Sequence, residues 1–392
     1  MFKVNIKFIL LSTAAFIFAY IQGGNLPYRI FYGFLLTFAI SFVYIIVKQR
    51  SIVVQIKFNR KIYSAGEEEE FITIVKNYGI LPAPYVIIKN KTLATLNPSY
   101  NGDALWLNFD DNRWIKSTVK FHQRGIYNFG ELNLKVSDLF SIFERNKNLN
   151  YNIPIKVYPR VYELLKFTAR GSDIFKNAIS SATSMEDIYS VKDIRKYNEG
   201  DNLKRVNWKV SAKHGELYVK NMETVSGEES NIFLDMSKFN VLTDEQGIEE
   251  EQLIDLCVSI INYMNIKGIK TRIFINSAES RSFQIESRED FNELMEFFLT
   301  QKSNSDSSFT DFIYANSNKI PKLSWIGIIT AGVSRNLKDG LINMRDRGYN
   351  ITVFHSIEGL KDLSNMEMLK KTGIECYSFY EIIKDEKSKV NI

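Results

Sequence analysis

The sequence predicts an α+β protein of several domains, in which a pair of apolar N-terminal helices precedes a β-sandwich and an α/β domain. Three observations predict this order. Two apolar stretches stand near the N-terminus, runs of β-branched and aromatic residues with a period of two follow them, and strand-like and helix-like segments alternate from residue 230. The 392 residues, 45% hydrophobic and 24% charged, suffice for two or three globular domains.

The first element is a predicted transmembrane hairpin within residues 1–50. The stretch Ile6–Ile21 contains one charged residue, Lys7, and Ile30–Val47 contains none. Both are near the lower limit of about 17 residues for crossing a hydrocarbon core. The intervening segment includes Gly23, Gly24 and Pro27, which favour a turn. We therefore expect two short spans joined by a tight connection.

The positive charges around the two spans predict their orientation. Cations flank both outer ends of the hairpin, whereas the turn has only Arg29 at its edge. The outer cations are Lys3, Lys7, Lys48, Arg50, Lys57, Arg60 and Lys61. The positive-inside rule then predicts a multi-pass protein of the cell membrane with most of its chain in the cytoplasm. If residues 1–22 were instead a cleaved signal peptide, the second span would act as a stop-transfer segment and keep residues 48–392 inside.

Residues 51–160 are predicted to form a β-sandwich. Short runs such as Ile52–Phe58, Phe71–Val75 and Tyr85–Ile88 are separated by turn-forming residues, as in antiparallel sandwiches. Near the end of this region, Phe140 and Phe143 are predicted to be core anchors.

Residues 193–220 contain a recognisable order of residues within a segment predicted to link the two domains, 161–229. The residues that carry it are Arg195, Tyr197, Gly200, Asp201, Arg205, Trp208, Ser211 and Ala212. This order resembles a signature of the domain-of-unknown-function-58 family. The resemblance implies a von Willebrand factor A-like domain directly after the signature. It also implies association with MoxR-type AAA+ ATPases and with other membrane proteins.

The same segment is predicted to contain a basic helix. Asp201 would cap a helix starting at residue 202 or 203, in which Arg205, Lys209 and Lys213 share one face. In one interpretation Arg195, Asp201 and Arg205 form an ion network and Trp208 is a packing anchor. In the other, the signature residues, Lys209 and Lys213 included, bind an acidic partner, phosphate groups or anionic lipid. The sequence leaves both interpretations open.

Residues 230–392 are predicted to form an α/β domain of Rossmann type. The predicted strands are 231–235, 271–275, 325–330 and 351–354, and the predicted helices are 248–266, 288–299 and 337–347. Strands that alternate with helices indicate a mostly parallel sheet covered on both faces. Ligands of such sheets bind at the carboxyl ends of the strands.

The resemblance also implies a Mg²⁺ site at this edge of the sheet. Asp235 and Ser237 match the first two positions of the Asp-x-Ser-x-Ser turn that a von Willebrand A-type domain uses, and Thr310 is a candidate third ligand. Phe239 occupies the second serine position, and Ala331 stands where an aspartate is expected. We therefore expect no cofactor unless this degenerate site retains Mg²⁺.

Several classes of function are disfavoured by composition. Cys257 and Cys376 lack metal-site spacing and are predicted to be core residues, and none of the three histidines belongs to a nucleophile motif. The formal net charge of +5 does not argue for a nucleic-acid partner. The leading hypothesis is a non-enzymatic, membrane-anchored adaptor that works with a MoxR-type ATPase in envelope assembly. The alternative is a metal-dependent binding or hydrolytic module.

Overall fold

The computed structural model describes residues 2–164, 185–197, 206–225, 229–238, 247–322, 324–356 and 363–383. The chain divides into two compact units, Met1–Tyr158 and Pro159–Ile392.

The first unit combines a pair of long helices with short β-strands. Its helices are α1 (Ile6–Gln22), α2 (Asn25–Ser51) and α3 (Lys91–Leu96). Its strands are β1 (Phe2–Val4), β2 (Ile52–Lys57), β3 (Ile62–Ser64), β4 (Glu68–Asn77), β5 (Ala83–Asn90), β6 (Asp103–Leu107), β7 (Asn112–Lys120), β8 (Gly125–Asn128), β9 (Glu131–Ser137), β10 (Phe143–Asn150) and β11 (Pro154–Tyr158).

These strands form the predicted sandwich. A five-stranded sheet in the order β1-β10-β9-β5-β6 and a three-stranded sheet in the order β2-β4-β7 contribute to one apolar core. Alternate residues such as Val86, Ile88 and Leu134 on one sheet and Val54 and Val75 on the other are fully buried, as the period of two requires. A third sheet, β3-β11-β8, lies over a second cluster rich in aromatic rings.

One prediction for this unit is wrong. Phe143 is buried, as expected, but Phe140 is 61% exposed. The reason is the local turn: the buried Asp138 carboxylate accepts hydrogen bonds from the backbone N–H groups of Phe140 and Phe143, and Ser141 has a positive φ of 50°. This tight turn directs the Phe143 ring inward and leaves Phe140 at the tip.

The helix pair is joined to the sandwich at both of its ends. Strand β1, before α1, pairs antiparallel with β10, and α2 leads directly into β2. Within α2, the segment Asn25–Lys48 is long and apolar enough to cross a membrane, whereas α1 is a shorter apolar helix of 17 residues.

The second unit contains the α/β region. After a two-stranded ribbon of β12 (Met185–Lys196) and β13 (Tyr218–Val225), which flanks α4 (Trp208–His214), strands and helices alternate. The further strands are β14 (Glu229–Asp235), β15 (Lys270–Asn276), β16 (Arg281–Ile285), β17 (Trp325–Thr330), β18 (Asn350–His355) and β19 (Glu375–Ser378). The further helices are α5 (Ile248–Ile266), α6 (Arg288–Thr300), α7 (Phe309–Ser317), α8 (Arg335–Asp346), α9 (Leu363–Lys371) and α10 (Phe379–Ile382).

The sheet of this unit has the order β16-β15-β14-β17-β18-β19. All neighbours are parallel except β16, which pairs antiparallel with β15. If the six strands of this sheet are numbered in chain order, their spatial order is 3-2-1-4-5-6, as in doubly wound sheets. The order of the strands reverses between β14 and β17, and this position is the switch point at which such sheets bind ligands. Both faces of the sheet are covered by apolar clusters, so β17 is buried along its whole length. The predicted α/β architecture is confirmed, and both cysteines are buried in it.

Candidate functional site

The switch point of the sheet holds a buried carboxylate with two donors. Asp235 ends β14 and Thr330 ends the adjacent β17, and both side chains are buried. The Thr330 hydroxyl lies 2.9 Å from Asp235 Oδ2, to which it donates, and 3.0 Å from the carbonyl oxygen of Gly332. The backbone N–H of Ser237 donates to Asp235 Oδ1 at 3.1 Å. Each carboxylate oxygen therefore has a hydrogen-bond donor.

A second polar group lies at the end of β15. Ser305 and Ser307 both donate from their hydroxyls to Asn276 Oδ1, at 3.0 and 2.7 Å. The backbone of Ser305 also bonds to Met236 and Lys238, on the loop that follows Asp235. The sequence predicted Ser303–Ser308 to be a polar loop at the edge of the site but assigned no role to Asn276 or Thr330. The available signal for these two was their position at the ends of β15 and β17, on either side of β14, because the carboxyl ends of parallel strands meet at one edge.

The methyl group of Thr310 packs against α8. Thr310 lies in the first turn of α7, and its γ-methyl carbon is 3.0 Å from the place that a β-carbon on Gly340 of α8 would occupy. In the part of the chain that the structure describes, Thr310 makes no hydrogen bond to Asp235.

The donor set at the switch point does not fit Mg²⁺. Mg²⁺ prefers near-octahedral oxygen ligands that include carboxylates. Among the described residues, no group of three or more His, Cys, Asp or Glu side chains could hold a metal ion. Each Asp235 oxygen accepts a hydrogen bond, from the Thr330 hydroxyl or the Ser237 amide, while Phe239 and Ala331 have no side-chain oxygen. The group therefore ties the strand ends together through hydrogen bonds.

The signature residues that the structure describes lie at the end of β12 and on α4. Gly200, Asp201 and Arg205 lie outside the described residues. Arg195 and Tyr197 stand at the end of β12, where Arg195 is exposed and its guanidinium donates to the carbonyl oxygen of Lys196. Trp208, Lys209, Ser211 and Lys213 all lie on α4.

Helix α4 begins later than the sequence predicts. Val206 forms a β-bridge with Val219, and the Asn207 side chain caps the helix by accepting from the backbone N–H of Val210. Residues 202 and 203 lie outside the described residues, but the predicted helix does not run through Val206, since this residue forms a β-bridge. An asparagine cap supplies the missing acceptor at the first turn, which explains why the helix starts at Trp208.

Four of the five exposed residues of α4 share one face, and the fifth is His214 at its end. At about 100° per residue, Trp208, Lys209, Ala212 and Lys213 fall within an arc of about 140°. All four are exposed, and the Trp208 side chain is 67% exposed. This exposure does not support the interpretation of Trp208 as a packing anchor. We call this face of α4 the basic face.

The opposite side of α4 is fixed to the ribbon. Ser211 is buried, and its hydroxyl oxygen accepts from the backbone N–H of Tyr218 at 2.8 Å. Lys196 forms an ion pair with Glu216, and the hydrogen bond to Glu216 raises the pKa of the Lys196 ammonium. Ser211 is thus a structural residue that holds the basic face outward.

The family match begins near the end of β12 and continues through α4, β13 and the first part of the α/β region. Residues 193–316 match the family described as protein of unknown function DUF58. The DUF58 match therefore includes the basic face and the Asp235 strand end. The chain is also similar to the uncharacterized protein YeaD of Bacillus subtilis (strain 168), with 22% identity over 285 residues, 71% of this chain and 69% of YeaD.

Two solved structures show weaker similarity. The CARDB domain of the PF1109 protein from Pyrococcus furiosus is 21% identical, covers 27% of this chain and 91% of its own, and has a TM-score of 0.20. Proximal thread matrix protein 1 from the mussel byssus is 11% identical, covers 39% of this chain and 44% of its own, and has a TM-score of 0.29.

Proposed function

We propose that the protein is a membrane-anchored, non-enzymatic adaptor whose basic face docks an acidic surface of a partner protein. The observation that carries this proposal is the exposure of Trp208 beside Lys209 and Lys213 on a helix whose other side is fixed to a β-ribbon. Tryptophan is over-represented among the residues that dominate the binding energy of interfaces, and cations beside it steer an acidic surface to the site.

The anchor in this proposal is the hairpin of α1 and α2. Pairing of β1 with β10 and continuation of α2 into β2 attach both outer ends of the hairpin to the same sandwich. That arrangement supports two passes, with the sandwich and both helix ends on one side of the membrane. The cations Lys3, Lys7, Lys48 and Arg50 at these ends favour the cytoplasmic side.

The partner class comes from the resemblance to the DUF58 family, which implies MoxR-type AAA+ ATPases and other membrane proteins. A membrane-bound receptor would bring such an ATPase to the envelope, and the basic face would be the receptor surface. Complementary charge would raise the rate of association and make it dependent on salt.

Site-specific photo-crosslinking tests this proposal. A photoreactive phenylalanine derivative replaces Trp208 in the full-length protein in its own membrane, and the same residue replaces Lys319 as a control. Lys319 is exposed and lies just after α7. We expect a crosslink to a MoxR-type ATPase from position 208 and none from 319. Equal crosslinking from both positions, or none from 208, would contradict docking on this face.

A further inference from the structure

Three loops of the sandwich lie at the end where the hairpin attaches. They connect β4 to β5 (residues 78–82), β6 to β7 (108–111) and β9 to β10 (138–142), and we call them the tip loops. Backbone bonds join two of them to the hairpin: Asn5 N–H donates to Ile142 at 2.8 Å, and Tyr78 N–H donates to Ser51 at 2.8 Å.

The third tip loop is connected through Asn77. The side-chain amide of Asn77 donates to the carbonyl oxygens of Leu81 and Asn108, at 3.0 and 2.6 Å. The tip loops therefore form one surface around the start of α1 and the end of α2.

This surface exposes large apolar side chains. Ile80 is 92% exposed, Phe109 is 70% exposed, and Leu81, Leu139 and Phe140 are also exposed. The loops at the other end of the sandwich differ. They expose the polar residues Asn59, Arg60, Asn97, Ser99 and His122, together with one aromatic side chain, Tyr151. Exposed apolar groups at the tips of three separate loops indicate a shared apolar environment rather than scattered surface residues.

Amphipathic aromatic side chains lie next to the tip loops. Tyr78 begins the first loop, and Tyr85, Trp106 and Trp114 lie two or three residues from a tip loop on the strands that flank them; all four are exposed. The Lys76 ammonium is 4.4 Å from the centre of the Tyr78 ring. Tyrosine and tryptophan collect at the headgroup level of membranes because one end of each ring is apolar and the other is polar.

The lengths of the helices place the tip loops at membrane depth. Helix α1 has 17 residues, or about 25 Å, which is shorter than a hydrocarbon core of about 30 Å. The centre of the Phe143 ring, at the start of β10, is 4.8 Å from the centre of the Phe38 ring on α2. From Asn25 to Phe38 the helix rises only about 20 Å. A hydrocarbon core that begins at Asn25 would therefore extend about 10 Å past Phe38, alongside the tip loops.

The charged groups on this surface are compatible with that depth. Asp138 is buried and satisfied by two backbone donors, and Asp111 accepts from the backbone N–H groups of Asn108 and Asn112. Asp110 is exposed and stands beside Phe109, where it would remain in the headgroup layer.

We propose that the tip loops insert into the near leaflet of the bilayer, with Ile80, Phe109 and Phe140 in contact with lipid acyl chains. The ligand of this surface is phospholipid. The sandwich would then be held against the membrane by its loops as well as by the hairpin, which fixes its orientation. This inference rests on the membrane anchoring proposed above.

Depth-dependent fluorescence quenching tests the proposal on the full-length protein in phosphatidylcholine–phosphatidylglycerol vesicles. Single cysteines replace Ile80, Phe140, Ser99, His122 and Leu35 in turn, and each is labelled with an environment-sensitive dye. The native cysteines are buried and do not compete for the label. Quenching is measured with lipids that carry a spin label at a defined depth in the acyl chain.

We expect labels at 80 and 140 to show blue-shifted emission and strong quenching, as at position 35 of α2, and labels at 99 and 122 to behave as in water. Water-like emission at 80 and 140 with quenching at 35 would overturn the inference but leave the membrane anchor intact. Water-like emission at 35 as well would overturn both proposals. A second version of the test leaves the tip loops unchanged. It measures the quenching of Trp106 and Trp114 fluorescence by brominated lipids in the Trp208→Phe variant.

Discussion

The hydroxyl of Thr330 donates to the Asp235 carboxylate at 2.9 Å and joins two adjacent strands whose ends are 95 residues apart in the chain. The bond lies at the carboxyl ends of two parallel strands, the edge at which such sheets bind ligands. The bond gives the buried Asp235 side chain a hydrogen-bond donor from the neighbouring strand, so protein groups hold the two strand ends together.

Replacement of Thr330 by valine should destabilise the second unit. Valine keeps the shape of threonine but removes the donor to buried Asp235, which should lower the free energy of unfolding by about 1–3 kcal/mol. The matched control is Thr310→Val, whose hydroxyl makes no hydrogen bond in the described structure. Denaturant titration of both variants checks this. Equal losses of stability would contradict the role given to Thr330.

Mg²⁺ should leave the stability of the protein unchanged. Only ligands that bind the folded state raise its stability, and the donor set at Asp235 does not fit this ion. The check is the unfolding temperature with and without Mg²⁺, in wild type and in Asp235→Ala. A rise in the wild type that disappears in Asp235→Ala would restore the metal-dependent alternative.

Gly327→Ala should destabilise the sheet more than Gly340→Ala. A β-carbon on Gly327 would lie 2.7 Å from the ring of Trp325, which is fully buried and donates to Thr352. Movement of this ring should cost about 1–3 kcal/mol. At Gly340 the nearest atom is the terminal methyl of Thr310, and alanine favours the helix by about 1 kcal/mol. Calorimetry measures the unfolding temperature of the two variants. A lower unfolding temperature for Gly340→Ala than for Gly327→Ala would contradict this prediction.

The two cysteines should resist thiol reagents until the protein unfolds. Burial raises the pKa of both thiols, that of Cys376 to about 11. Since the pKa of a thiol in the unfolded chain is about 9, the Cys376 contribution to stability is complete below pH 9 and is lost as pH rises towards 11. The free energy of unfolding should therefore fall less between pH 9 and pH 11 in Cys376→Ala than in the wild type. Rapid labelling of the folded protein at neutral pH would contradict the prediction.

Long periodic segments of the fold were predictable from the sequence. The predicted helix 248–266 coincides with α5, and the predicted strand 325–330 coincides with β17. Their apolar residues form uninterrupted patterns that do not depend on distant contacts. The edge strand β16 was missed, because Arg281–Ile285 is short, largely polar and paired only with β15.

The candidate sites were less predictable, because they depend on tertiary contacts. Phe140 has the composition of a core residue, and only the turn around Asp138 shows that it points outward. Trp208 was open to both interpretations until its exposure was known. The Thr330–Asp235 bond joins strands that are distant in the chain, so no local pattern indicates it.

The most direct test of the adaptor proposal is the affinity of the full-length protein, in lipid nanodiscs, for the MoxR-type ATPase of the same organism. Lys209→Glu/Lys213→Glu is compared with Lys319→Glu/Lys322→Glu, which changes the net charge equally at exposed positions outside the basic face. We predict that the first pair raises Kd about tenfold or more and lowers the salt dependence, while the second leaves Kd near the wild-type value. An equal effect of the two pairs, or no binding by the wild type, would contradict docking of this partner on the basic face.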